Sequence, residues 1–173
     1  MSALTSRHII RFAVVILLQG LILRRIALGG MHFNYISILF YPILLALLPI
    51  KTPRAALLLI GLGLGLTIDV FYDSLGVHAS ACVFTAFIRP WILQILEPRG
   101  GYPVNVNPTI RDFGAAWFMQ YMGTLLALHL LFYFSVEVFT FVYIGQILLK
   151  TVTSFIVSFM AILIFMFLFN PRH

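Results

Sequence analysis

Residues 55–72 read AALLLIGLGLGLTIDVFY, an apolar run interrupted by one charge, Asp69, with Lys51-Thr52-Pro53-Arg54 before it and Asp73-Ser74 after it. Crossing the roughly 30 Å hydrocarbon core of a bilayer takes about 20 apolar residues, so this run reads as a transmembrane helix. The pattern repeats on either side. Apolar runs separated by charge, Gly or Pro place spans at about 9–28, 35–50, 55–72, 77–96, 113–134 and 139–169. Six spans nearly use up the 173 residues, which predicts an all-α polytopic membrane protein with a single integral membrane domain. Composition agrees: 62% hydrophobic and 9% charged residues, with a mean hydropathy of +1.07, are too apolar for a water-soluble fold.

The eleven Lys and Arg give a net charge of +6, but they stand singly or in pairs at the ends of apolar runs and form no nucleic-acid-binding face. Their distribution sets topology instead. With a cytoplasmic N-terminus, the inner segments hold Arg7, Arg11, Lys51, Arg54, Arg99, Arg111 and Arg172, with Arg89 near the inner end of the fourth span. The outer loops hold Arg24 and Arg25, against Asp73 and Glu137. The positive-inside rule therefore predicts cytoplasmic N- and C-termini. The N-terminal run, with Ala27-Leu28-Gly29 near its end, resembles a signal peptide but is expected to be a retained span, since every later segment is apolar too. The last run is longer than a bilayer needs and is expected to begin at the interface or to tilt. The connection at 97–112, rich in Pro, Gly and Asn, is read as a cytoplasmic docking site or a plain linker.

Gly61, Gly63 and Gly65 do not form a phosphate loop, because no strand precedes them and no Lys-Ser/Thr follows. Gly61 and Gly65 make a small-xxx-small pair that lets a helix backbone approach closely, and Gly123 with Ala127 and Ser154 with Ser158 offer similar surfaces. Asp69 and Asp73 share a helical face near His78, a set that invites acid/base or metal chemistry. The competing reading is that Asp73 or Ser74 caps the following helix and Asp69 accepts hydrogen bonds from the turn itself, as a buried anchor or switch. Lys150, beside Gln146, Thr151, Thr153 and Ser154, is expected to avoid lipid by pairing inside the bundle or snorkelling. A pair with Asp69 requires the lysine to reach outward across roughly 9 Å of depth. Arg89 is expected to snorkel to phosphates. Cys82 reads as a small packed hydrophobe. The five histidines are isolated and no serine has a recognisable base, so no catalytic residue, metal site or cofactor is expected.

The order of residues 35–79 resembles the rod shape-determining MreD family: a span, a Lys51-Thr52-Pro53-Arg54 turn, a glycine-rich helix ending Gly65-Leu66-Thr67-Ile68-Asp69, then Asp73-Ser74-Leu75-Gly76-Val77-His78-Ala79. Gln19 in the first span also matches a glutamine typical of that family. The resemblance implies a non-catalytic scaffold subunit of the bacterial cell-elongation machinery in the inner (cytoplasmic) membrane. Its partner would be an MreC-like bitopic protein, and through it the glycosyltransferase and transpeptidase that build lateral peptidoglycan. Gln19, Gly61, Gly65, Asp69, Asp73, Gly76, His78 and Lys150 are the candidate helix-packing or partner-binding residues, with self-association into a homodimer left open. Members of the family are also similar in fold to the substrate-binding subunits of energy-coupling-factor vitamin transporters, which supplies an alternative function as a small-molecule-binding subunit. A third reading is an intramembrane enzyme using Asp69, Asp73 and His78.

Overall fold

The computed structural model describes residues 15–22, 36–74, 76–103 and 106–169. Among them every regular element is helical. A π-helical turn, Leu18–Ile22, is followed by α1 (Pro42–Ala46), α2 (Arg54–Tyr72), α3 (Val77–Ile95), α4 (Ile110–Phe113), α5 (Ala115–Val138) and α6 (Ile144–Phe169), with a 3-10 turn, Phe141–Tyr143, before the last. Three helices, α2, α5 and α6, are long and apolar enough to cross a membrane. The fourth long helix, α3, equals α2 in length, but His78, Arg89, Pro90 and Gln94 dilute its apolar character. Most of the expected first span lies outside the described residues.

The expected helix at 35–50 does not form as one helix. Residues 36–40 carry no regular structure and only five residues, Pro42–Ala46, are helical. Two prolines explain the break. Pro42 has no N–H to give the carbonyl four residues back and serves as a first helical residue, while Pro49 lies where the next turn would continue. The segment still threads the bundle, from Tyr72 and Ser154 at one end to Arg89 and Tyr121 at the other.

Close packing of α2 on α3 rests on glycine. A Cβ on Gly61 would meet the Cys82 carbonyl at 3.0 Å, and one on Gly65 would lie 2.3 Å from Ala79 Cα. A Cβ on Gly63, on the opposite side of α2, would meet no other described element within 4 Å. Behind this pair, α5 buries Phe118, Tyr121, Met122, Leu125, Leu126, His129 and Leu130, spaced by three and four along one face, and packs against α3 and α6. Exposed Leu148, Val152, Ile156, Met160 and Ile164 repeat every fourth residue along α6 and form an apolar outer stripe.

The turns at one end of the bundle use left-handed backbone. Asp73 closes α2 at φ 53° with its N–H on the Asp69 carbonyl, and Gly76 opens α3 at φ 84°. Phe139 closes α5 at φ 49°, a conformation that costs a bulky L-residue roughly 1–2 kcal/mol. Relative to the expected 113–134, α5 runs on to Val138, and α6 starts at Ile144 rather than 139. At the other end the 97–112 connection folds against the bundle. Tyr102 Oη donates to the Leu93 carbonyl at 2.7 Å, Trp117 Nε1 to that of Leu96 at 2.8 Å, and Ile50 N to that of Val106 at 3.3 Å. Burial, with Glu97 nearby, pushes the Tyr102 phenol up to about 12, so it remains a donor at neutral pH.

Candidate functional site

The non-helical stretch 36–40 poses a chemical problem, because backbone N–H and C=O groups inside a membrane bundle have no water to bond. Side chains solve it. Gln19, from the π-helical turn, accepts from Phe40 N through Oε1 at 2.8 Å and donates from Nε2 to the Ile38 carbonyl at 2.9 Å and to Tyr72 Oη at 2.7 Å. Ile38 O is the acceptor that the missing N–H of Pro42 would have used in a continuous helix. On the opposite side, Ser154 Oγ accepts from Ser37 N at 3.0 Å. Ser158 Oγ accepts from Leu39 N at 2.9 Å and donates to the Ser37 carbonyl at 3.4 Å. Odd residues bond to α6 and even ones to Gln19, the alternation of an extended chain. Gln19, Ser154 and Ser158 are each fully buried. Gln19→Leu is expected to strand the Ile38 and Phe40 peptide groups at about 1–3 kcal/mol each. A lower melting temperature in detergent, with faster hydrogen exchange at Phe40, is the corresponding measurement.

The far end of the segment is held by Arg89, which does not snorkel: it is 1% exposed. Its Nε donates to Tyr121 Oη at 2.9 Å, and its terminal nitrogens donate to the carbonyls of Ala46 at 3.3 Å, Pro49 at 3.5 Å and Leu48. Tyr121 Oη in turn donates to the Ala46 carbonyl at 2.9 Å. Carbonyls at the C-terminal end of a helix carry its negative partial charge, so they solvate a guanidinium that has no carboxylate in ion-pair reach among the described residues. Between the two ends, Tyr41 Oη lies 2.9 Å from His129 Nε2, and His129 Nδ1 lies 2.7 Å from Thr85 Oγ1. Thr85 gives its own proton to the Ala81 carbonyl, so the network assigns the His129 proton to Nδ1 and makes Nε2 the acceptor for Tyr41.

Asp69, His78 and Ser74 form a second cluster at the α2–α3 turn. Asp69 Oδ1 accepts from Ser74 Oγ at 2.8 Å, His78 N at 2.9 Å and His78 Nδ1 at 3.0 Å, while Oδ2 accepts from Ala79 N at 3.0 Å. The carboxylate thus caps α3 from a distance, in the place a Ser or Asp N-cap takes when it is adjacent in sequence. Ser74 Oγ and Asp69 both sit on His78 Nδ1, so the three do not form a hydrolytic relay, in which serine and carboxylate occupy opposite ring nitrogens. His78 Nε2 is buried among the rings of Tyr41, Tyr72 and Tyr133 without a hydrogen-bond partner among the described residues. Asp69→Asn replaces one acceptor by a second donor facing Ala79 N. A loss of about 2 kcal/mol is expected, seen as a lower melting temperature and faster exchange of the His78 and Ala79 amides.

Lys150 is not part of either cluster. It pairs with Glu137 at 3.3 Å, in the second turn of α6, and its Nζ lies 5.7 Å from the Phe134 ring centroid. The alternative pair with Asp69 is not formed: that carboxylate is occupied by Ser74, His78 and Ala79, and Lys150 meets Glu137 across the α5–α6 tip. Thr151 and Thr153 bond to carbonyls of their own helix. Gly61 and Gly65 are spent on the contact with α3, so that face is closed to other helices. Beside it runs an open apolar groove of about 540 Å³, lined by Leu58, Leu62, Val83, Phe84, Phe87 and Phe132 and ending at Ala79 and Ser80.

Reasoning from residues alone missed Arg89, Ser154, Ser158, Tyr41, His129 and Tyr121 as members of the polar interior. Pro42 and Pro49 were the available signal, because two prolines seven apart in an apolar run require outside partners for the backbone groups they orphan. No protein-family model, curated protein or solved structure matches the chain.

Proposed function

We propose that the chain is a six-span, non-catalytic scaffold subunit of the bacterial cell-elongation machinery, with both termini in the cytoplasm, and that it binds an MreC-like bitopic partner. The reading rests on the resemblance of residues 35–79 and on one structural observation. The groove between α2 and α3 ends at Ala79 and Ser80, directly beside the turn that carries the resemblance. Apolar walls open to the bilayer suit a partner's transmembrane helix, whose association in lipid depends on close packing. The neighbouring carboxylate is engaged by four donors of its own chain, which suits a rigid shoulder for that helix rather than a reactive group.

A photo-crosslinking residue at Phe87, in the groove, is expected to capture the bitopic partner from native membrane, while one at Ile164, on the α6 stripe, is not. Depletion should widen and round the cells. Failure of both sinks the proposal. The broken segment 36–50 favours a second reading, since discontinuous spans line ligand sites in transporters. Saturable binding of a small molecule, together with recovery of an ATPase partner in the same cross-linking experiment, would establish that alternative.

A further inference from the structure

The tip joining α5 to α6 presents apolar side chains outward. Phe139 is 88% exposed, Val142 81% and Tyr143 50%. Phe139 also holds the left-handed backbone that glycine or asparagine adopts more easily, and its amide is tied to the Ser135 carbonyl at 3.1 Å. The fold thus places an aromatic residue where one is disfavoured and turns its ring away from the core. Beside it is a hollow of about 270 Å³, lined by Phe132, Ser135, Val136, Phe139, Thr140 and Ile147.

The depth of this tip follows from α5. Trp117, bonded to Leu96 beside the charged 97–112 connection, marks one membrane boundary. From Trp117 to Glu137 the helix rises roughly 30 Å at about 1.5 Å per residue, the thickness of the hydrocarbon core. The partly exposed Glu137–Lys150 pair therefore stands at the other boundary, and Phe139, Val142 and Tyr143 follow just beyond it. That interval is the headgroup layer, about 5–7 Å deep on each side. Aromatic rings are favoured there because it offers both apolar and polar contacts.

We propose that the α5–α6 tip is an interfacial lipid anchor, its apolar side chains seated among phospholipid headgroups with acyl methylenes filling the adjoining hollow. The charges beside it, Glu137 and Lys150, neutralise one another, so the anchor does not select for headgroup charge. This inference is independent of the proposed partner.

Cys82 is fully buried, which allows a nitroxide label to be placed selectively at Phe139→Cys or Val142→Cys. The labelled protein is placed in vesicles of phosphatidylcholine, with and without phosphatidylglycerol. Collision rates with oxygen and with a water-soluble nickel chelate are then compared with labels at Ile156→Cys, on the lipid-facing stripe, and at Arg99→Cys, in the polar connection. Both tip labels are expected to give an oxygen-to-nickel ratio between those two references and unchanged by the anionic lipid. A ratio equal to that of the Arg99→Cys label would mean that the tip stands in water, and low collision rates with both reagents would mean that protein covers it. Either result overturns the anchor. Val142→Cys lies in the 3-10 turn, three residues from the left-handed Phe139, and leaves that residue unchanged, so the test survives misfolding of the Phe139 variant.

Discussion

Gly65→Val is expected to abolish the folded protein, while Gly63→Val, two residues away, leaves it intact. At Gly65 the first added carbon already falls 2.3 Å from Ala79 Cα and 2.7 Å from both Ala79 N and the His78 carbonyl oxygen. These are backbone atoms, and they cannot rotate aside. The helices must separate, and the donors that Asp69 collects from the start of α3 move away with them. Overpacking alone costs about 1–3 kcal/mol, and loss of the cap adds on the order of 1 kcal/mol more. At Gly63 no described residue across from the helix lies within 4 Å of the added carbon, so a valine there would face lipid. Yield of monodisperse protein and the melting temperature in detergent are the readouts. Equal behaviour of the two variants would show that the α2–α3 contact is not as close as described.

Arg89→Met should also destabilise, by about 1–3 kcal/mol, the cost of leaving a buried acceptor without its donor. The methionine replaces the stem of the side chain and leaves the Leu48 carbonyl without its donor, while the Ala46 carbonyl keeps Tyr121 Oη and that of Pro49 keeps Thr52. Arg89→Lys should recover only part of the loss, because a single ammonium cannot reach three carbonyls and Tyr121 together. Proteolysis at 47–53 reports the release of this end of the segment, and the melting temperature reports its cost. If Arg89→Met melts like the parent, the arginine is serving phosphates from the surface after all.

Much of this fold is legible in the sequence, and what is not has a common cause. The runs at 55–72 and 77–96 match α2 and α3 within a residue or so, because Pro53, Arg54, Asp73 and Gly76 punctuate them. The run at 35–50 was misread because hydropathy reports burial and says nothing about backbone conformation; only Pro42 and Pro49 carried that information. Ser154 and Ser158 look like a small-residue packing face, and nothing local reveals that their hydroxyls serve a segment far away in the chain. Arg89 reads as a ligand of lipid phosphates because its true partners are carbonyls, which no letter of the sequence marks. Asp69 as an acceptor within the turn is legible because its donors lie within ten residues of it, but the α3 amides expected to bond to Asp73 or Ser74 bond to Asp69 instead. The reach of an interaction along the chain therefore separates what could be read from what could not.

The ladder around residues 36–40 bears on how the chain enters its membrane. Ser154 and Ser158 lie 117 and 119 residues beyond the amides that they bind, so those partners are synthesised long after them. Until they arrive, this stretch cannot rest in lipid in its final form, since open peptide groups are excluded from hydrocarbon. Insertion of this stretch must therefore be completed only after α6 has been made, with the broken segment waiting at the interface or inside the insertion machinery for α6 to close over it. A chain truncated before α6 should be recognised as unfinished and degraded, even though its earlier helices are complete.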